Sequence, residues 1–545
     1  METADGSDNY PMADATPIQR ASSRLATSTL VAACFAVMAG QIGVAVPATL
    51  NGPLQTYFHL VGSQLTWISA AYLLPVVVLE LTFGVLGDLY GRKRLMVGGG
   101  VLLAVGEAFA ATAGNVQMLW VGQALAGLGA GALFPMSLTM VAAATHTARA
   151  RARAIAVWAG SLSAGGAIAP ILGGITGTFG SWRWSLALVA VLAAVSVLLS
   201  QFLAEDSSAP EGRSLDWAGQ VTLALGLVLL LYAVIQGPTD RWDVTIIIAF
   251  VLAVACFGAF LAAELRARSP LLRLDLFRNR AFTVASIVAV IGMFSFLGTA
   301  YVTSIRLGPI QHQSPLRTVL PFLLLQAPAF VLIPVISRLV ERINPRWLLG
   351  SGFAIMAAGQ FLAIRLEVTD RGLSSLVIPI GLVGIGFALA VSSITAASIN
   401  TVPLHYAGMA SATTNLLRDF GFTLGPAVVG AVALSKAASA FAAGLPLAHL
   451  PAAEARAAQS AASEAGPLAV NSLQAGQAGY AARAVATSAL GHGYAIGYGL
   501  CGFTALVAAT LTVLGMNGTT HDHVLEAGSL IDEGPVADRL QMPHK

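Results

Sequence analysis

The stretch "GVLGDLYGRKR" (84–94) places one acid and three bases between two runs of apolar residues, 65–86 and 95–113. Each run is close to the 20 or so apolar residues that a helix needs to cross the hydrocarbon core of a bilayer. The charges between them are costly in hydrocarbon, so the stretch reads as a turn at a membrane surface. Within it, Gly84 is expected to let helices approach and Gly91 to permit the tight turn. Asp88 sets a carboxylate at the membrane boundary, and Arg92 and Lys93 anchor the turn in the interface. The pattern repeats outward in both directions. Further apolar runs at 25–50, 117–144, 154–179, 184–203, 217–236, 244–263, 281–304, 318–338, 347–366, 373–398, 407–435 and 493–516 bring the expected count to fourteen transmembrane helices. The expected fold class is an all-α membrane protein.

Composition agrees. Of 545 residues 56% are apolar and 10% charged, with a mean hydropathy of +0.76, whereas a soluble domain is about a quarter charged. Soluble, disordered and disulfide-stapled secreted classes are excluded on these figures. A net charge of +3 without a basic patch gives no footprint for nucleic acid. Cys34, Cys256 and Cys501 lie far apart inside apolar stretches, and the histidines do not cluster apart from His521 and His523 in the tail, so neither a metal nor a cofactor is expected.

Two polar segments divide the chain. "AEDSSAPEGRSLD" (204–216) follows the sixth run and "ELRARSPLLRLDLFRNR" (264–280) the eighth. The expected organisation is a disordered N-terminus (1–24), a six-helix bundle (25–203), a linker carrying two additional helices (204–280), a second six-helix bundle (281–516) and a tail (517–545). With both termini cytoplasmic, "GRKR" (91–94), "RARAR" (149–153), the arginines of 266–280 and Arg338, Arg342 and Arg346 all fall inside. That is about twenty of the 29 Lys/Arg, as the positive-inside rule requires. Residues 436–492, rich in Ala, Gly, Ser and Gln, then form an extracytoplasmic insertion. It reads as a loose connection with a short surface helix over 451–466, or as a docking surface for an unidentified partner.

The spacing of Gly84, Asp88, Gly91, Arg92 and Lys93 resembles the G-x-L-x-D-x-x-G-R-K loop of the major facilitator superfamily. That resemblance implies a conformational latch, in which Asp88 meets the positive end of a helix near residues 403–408 in the opposite bundle. "GSLSAGGAIAPILGG" (160–174) is similar to the family's exporter motif, with Gly165, Pro170, Gly173 and Gly174 in place and Ala169 where a glycine is usual. "SWRW" (181–184), "LDWAGQ" (215–220), "QGPTDRW" (236–242), "SPLLRLDLFRNRAF" (269–282) and "AGMASATTNLLRDFG" (407–421) look like the 14-helix drug/proton antiporter subfamily, the multidrug and quaternary-ammonium exporters. The resemblance implies two six-helix bundles flanking a central cavity, plus two inserted helices.

The chain departs from that pattern where the family carries its proton machinery. Met38 stands at the first-span acid, Gln123 at the fourth-span arginine, and Asp419 where a glutamine is common. Glu107 and Glu80 remain as acids inside spans. Burial disfavours the charged form, which suits a proton carrier, and a hydrogen-bonded structural acid is the alternative for both. Arg418 and Asp419 are adjacent, so they are expected on different helix faces, with Arg418 a buried-charge partner. Gln41, Gln123, Phe134, Met136, Trp158, Met293, Phe294 and Tyr301 are expected to line the cavity, because aromatics and methionine give adaptable apolar surface.

The expected function is secondary active export of hydrophobic or amphipathic small molecules in exchange for protons. The partners are then cargo, protons and the lipid bilayer, and the setting is the bacterial cytoplasmic membrane. Export or facilitated movement of a lipid or metabolite without proton coupling is one alternative, and a non-transporting sensor or scaffold displaying 436–492 another. An enzyme is not expected, since the spans hold no nucleophile–base pair.

Overall fold

A backbone group in hydrocarbon has no water to bond, so a spanning segment satisfies its own N–H and C=O groups as a helix. The computed structural model of this chain describes residues 17–60, 62–145, 147–208, 215–238, 243–267, 271–272, 274–399 and 407–516, and no strand occurs among them. The helices are α1 (Pro17–Phe58), α2 (Gly62–Tyr90), α3 (Arg92–Ala111), α4 (Val116–Ala143), α5 (Ala148–Phe179), α6 (Trp182–Leu203), α7 (Trp217–Gln236), α8 (Val244–Glu264), α9 (Arg280–Ile305), α10 (Pro315–Val331), α11 (Ile333–Arg342), α12 (Pro345–Ala363), α13 (Ser374–Ile399), α14 (Ala407–Gly444), α15 (Ala452–Ser472) and α16 (Arg483–Gly515). A π-helical turn, Arg306–Ile310, continues α9.

Short polar residues between the runs cap the helices. Asn115, Thr147, Asp216 and Asp243 each accept a hydrogen bond from a backbone N–H of the first turn of α4, α5, α7 and α8, satisfying donors that a helix start leaves open. Lipid offers no hydrophobic force between helices, so close packing of small residues holds them together. A Cβ on Gly106 of α3 would lie 2.3 Å from the Ala126 nitrogen of α4, and one on Gly359 of α12 would lie 2.4 Å from the Pro379 oxygen of α13. Thus α3–α4 and α12–α13 touch backbone to backbone.

Helices α1–α6 pack on one another, as do α9, α10, α12, α13, α14 and α16. The two groups meet mainly along α5 against α10 and α2 against α14, while α7 leans on both α2 and α14 and carries α8 on its far side. Gln220 of α7 donates to the Val78 carbonyl (2.5 Å) and accepts from Thr82 of α2. Most of α8 faces outward, with Ile247, Ile248, Val251 and Val254 all more than half exposed.

Several expectations are corrected. Among the described residues, twelve helices are long and apolar enough to cross a membrane, and two of the fourteen expected spans, 318–338 and 347–366, fall short by that measure. The run expected over 318–338 is two helices broken at Leu332, and its apolar part, α10, has 17 residues. Pro328 and Pro334 flank the break, and a proline lacks the N–H that would carry the ladder through. The run expected over 347–366 is α12, with 19 residues, in which Arg346, Gln360, Ser351 and three glycines dilute the apolar content. Helix α1 begins at Pro17, inside the segment expected to be disordered.

The 436–492 segment is folded rather than loose. Its first residues extend α14 and its last belong to α16. Between them, α15 turns at Gly466 (φ 73°) and Pro467. Ala458 and Val470 of α15 bury against Phe441, Ala486 and Ala489. Alanine contributes little area per residue but lets helices approach closely, which is why a reading that looked for large apolar side chains missed this unit. Asn471 then donates to the carbonyls of Pro309 and Ile310, both at 3.2 Å, and accepts from Thr487 at 2.7 Å.

The turn that α15 holds is where the two groups close on each other. Gly308 packs on Gly52 of α1, and a Cβ on Gly52 would lie 3.0 Å from the Gly308 Cα. Ser304 is almost fully buried there. Replacing Gly52 by leucine is therefore expected to wedge this end apart. In a Ser304→Cys background, labelling by a membrane-impermeant maleimide should rise several-fold on adding Gly52→Leu, and unchanged labelling would show that the contact does not seal this end.

Candidate functional site

A cavity of about 690 Å³ lies between the two groups, walled by α1, α2, α4 and α5 on one side and by α9, α10, α13 and α14 on the other. It runs from Asn51 and Ser304 at one end to Asp88 and Thr139 at the other. The Asn51 end is bonded across the groups. The Asn51 amide donates to the Ser304 hydroxyl at 2.8 Å, Ser304 donates to the Ala48 carbonyl, and the hydroxyls of Thr66 and Tyr301 lie 2.6 Å apart.

The walls are largely apolar and aromatic. Phe296 stacks on Phe387 with ring centroids 3.5 Å apart, and Phe422 tilts toward Phe296 at 6.5 Å. Across from them Phe134 lies over Gly40, and the indole N–H of Trp158 donates to Ser137 at 2.9 Å, which fixes the ring. Of the expected lining residues, Gln41, Phe134, Trp158 and Tyr301 face the cavity. The other four are corrected. Gln123 is buried against Glu107, Met136 packs its sulfur beside Gly87, Met293 is enclosed in the core, and Phe294 packs onto that core. Periodicity along one helix cannot tell a cavity-facing stripe from a helix-facing one. The four phenylalanines of the opposite wall, Phe296, Phe322, Phe387 and Phe422, carried no local signal at all.

The acids separate clearly. Glu107 is fully enclosed and is absent from the cavity lining. Its Oε2 receives a hydrogen bond from Gln123 at 3.4 Å, and its Oε1 has no partner among the described residues. Glu80 lines the cavity together with Asn415, Arg418 and Asp419 of α14, and the Asp419 carboxyl faces it. Arg418 and Asp419 do not part to different faces as expected. The Arg418 Nε reaches the Asp419 Oδ1 at 3.4 Å and both line the cavity, because a long arginine can fold back on its neighbour. Asp419 is the site residue to which sequence reasoning gave no role.

At the far end of the cavity, Asp88 pairs with Arg92 one turn on, through Nη2 at 2.7 Å and Nε at 3.0 Å. Arg92 therefore binds the carboxylate rather than reaching out to the interface. Residues 403–406, where the opposite helix start was expected to receive Asp88, lie outside the described residues, as do the side chains of 407–409. Gly91 has φ +103°, as a tight turn requires, and a Cβ there would lie 3.0 Å from the Asp206 carboxylate. That carboxylate accepts the Lys93 backbone N–H at 3.2 Å and so sits at the positive end of α3. Gly84, expected to allow close packing, has nothing within 4 Å of its Cβ position and faces the cavity instead; Gly87 is the glycine in tight contact.

The exporter-like glycines divide between two neighbours. Cβ atoms on Gly165 and Gly173 would lie 2.8 Å from the Met38 oxygen and 2.0 Å from the Thr49 hydroxyl, both on α1. One on Gly174 would lie 2.2 Å from Val319 of α10, and Pro170 faces the cavity between them. Helix α5 is thus the joint that both groups close on. Gly91→Ala is expected to lower stability by about 1–3 kcal/mol because of its backbone conformation, whereas Gly84→Ala should be near neutral. Thermal unfolding of the two purified variants distinguishes these outcomes.

Sequence and structure comparisons agree with this architecture. A model described as Major Facilitator Superfamily matches residues 30–426. The "Multidrug resistance protein Stp" of Mycobacterium tuberculosis is 30% identical over 72% of this chain and 72% of its own length. The "Tetracenomycin C resistance and export protein" of Streptomyces glaucescens is 28% identical over 76% and 77%. Among solved structures, a bacterial homolog of the human lysosomal transporter Spinster, inward-facing and unoccupied, superposes with a TM-score of 0.61 over 90% of this chain and 98% of that one at 15% identity, which shows a shared fold. With the family model spanning α1 into α14 around one central cavity, this chain belongs to the Major Facilitator Superfamily.

Proposed function

We propose that this protein is a secondary transporter that exports hydrophobic or amphipathic small molecules across the bacterial cytoplasmic membrane in exchange for protons. The observation that carries the reading is the aromatic-walled cavity between two helix groups, bonded shut at one end and lined by an acid, Glu80. Phenylalanine faces and Trp158 offer broad apolar contact without a fixed hydrogen-bond code, which suits varied bulky cargo. The printed functions of the relatives, multidrug resistance and antibiotic export, point the same way.

In this reading the chain crosses the membrane fourteen times, with α10 and α12 as the two crossings short of the length or apolarity of the rest. Both termini and the 84–94 turn are cytoplasmic, and α15 caps the outer face. The cavity then opens toward the cytoplasm, and transport proceeds by rocking of the two groups about it. The Asp88–Arg92 pair steadies the cytoplasmic turn, and no enzymatic chemistry is assigned to the chain. Glu80, at the cavity, carries the proton. Glu107 is a structural acid that ties α3 to α4 through Gln123.

Ethidium, a planar aromatic cation, tests this. Cells expressing the protein should retain several-fold less ethidium than controls, and an uncoupler should abolish the difference. Glu80→Gln should behave like the uncoupler, while Glu107→Gln should keep uncoupler-sensitive efflux. Efflux that persists in the presence of an uncoupler would reject proton coupling in favour of passive or otherwise driven movement.

A further inference from the structure

The carboxyl groups of Glu80 and Asp419 come from opposite halves of the molecule, one on α2 and the other on α14, and meet at the cavity wall. Glu80 is nine-tenths buried, and its Oε2 receives no N–H or O–H from any described residue. What faces it is another acceptor, the carboxyl of Asp419. A buried acceptor without a donor is costly, and two carboxylates in contact repel each other. A single hydrogen between them removes both costs and makes a charge-assisted O–H···O⁻ bond, among the strongest a protein forms.

We propose that Glu80 and Asp419 form one proton-binding site shared by the two halves, with Arg418 as its counter-charge. This deepens the antiporter reading and rests on it. Among the described residues the charges around the site are few, and the Leu271–Leu272 segment packed on the seam adds only apolar side chains. From α14, Asp419 and Arg418 face Glu80. The packed faces of α4 and α7 carry no charged residue at all, nor does the stretch of α1 from Thr27 to Phe58. The charged residues of α3 lie with the turn at Arg92 and with Gln123 at Glu107, and Asp88 on α2 itself is paired with Arg92.

With the proton in place, the pair carries one negative charge against the one positive charge of Arg418, so the cluster is neutral and the α2–α14 seam is joined. When the halves rock, the O–H···O⁻ bond breaks. The proton leaves to cavity water, and two carboxylates remain against one guanidinium. Their repulsion holds the seam apart until a proton returns from the other side. Proton occupancy is thereby tied to the distance between the halves, which one acid on one helix could not do. Met38 and Gln123 are neutral in this chain, and the shared pair supplies an ionisable group at the interface itself.

The test has two arms on the purified full-length protein. In the first, infrared spectra during a pH titration follow the C=O stretch of protonated carboxyls in a Glu107→Gln background. One titrating band is expected, and Glu80→Gln and Asp419→Asn should each remove all of it, because either amide donates the hydrogen that the proton supplied. A band that survives Asp419→Asn overturns the proposal. In the second arm, proteoliposomes take up ethidium in response to an imposed pH step. One proton exchanged per cargo makes a step of one pH unit worth about tenfold in cargo ratio, and Asp419→Asn should abolish that response. Thermal unfolding of Asp419→Asn close to that of the wild type should show that the variant is folded. Wild-type-like pH response in Asp419→Asn also overturns the shared site. A wild type that ignores the pH step refutes the antiporter reading instead, and the infrared band still decides the pair.

Discussion

Hydrocarbon gives a helix neither water for its backbone nor a hydrophobic reason to pack, and that constraint shapes the rest of the molecule. The first part makes every spanning segment a capped helix. The second leaves close backbone approach as the main source of cohesion. Hence α3 meets α4 at Gly106, α12 meets α13 at Gly359, and α5 serves both halves through glycines on two of its faces. Where helices cannot come that close, the space between them stays open, and the cavity occupies it.

A molecule that alternates needs contacts between its halves that form and break at modest cost. The bonds at the Asn51 end have that character. Asn51 with Ser304 and Thr66 with Tyr301 are neutral pairs, each contributing about 0.5–1.5 kcal/mol net. The Gly52–Gly308 contact adds shape without charge. Helix α15 reinforces this end from outside through Asn471, which engages the π-turn rather than the opposite half, so it stiffens the gate without bonding it shut. Among the described residues, the charged side chains between the halves lie at the mid-cavity seam of α2 and α14, and the buried Arg306 of the π-turn bonds to carbonyls of its own half.

Particular residues show where sequence reading succeeds and fails. The 84–94 turn was legible because a positive-φ glycine, an acid and bases four residues apart are local requirements, and Gly91 and the Asp88–Arg92 pair meet them. Gly84 was misjudged because a glycine does not announce whether it faces a neighbour or a void. Met136 and Met293 were misplaced for the same reason: their helices are apolar all round, so no face stands out. The alanine-rich 436–492 segment looked loose because its cohesion depends on Phe441, Ala486 and Ala489 of neighbouring helices, a property of approach and not of composition.

Sequence alone determined the membrane class, the helical class and most span positions, because hydropathy and charge act residue by residue along the chain. It also singled out Glu80 and Glu107 as acids out of place in lipid. Only the tertiary structure decided that Glu107 closes on Gln123 away from the cavity while Glu80 faces Asp419, more than three hundred residues along the chain. The reason is physical: what a buried charge does depends on what it meets across the interface, and that partner is chosen by packing between distant helices.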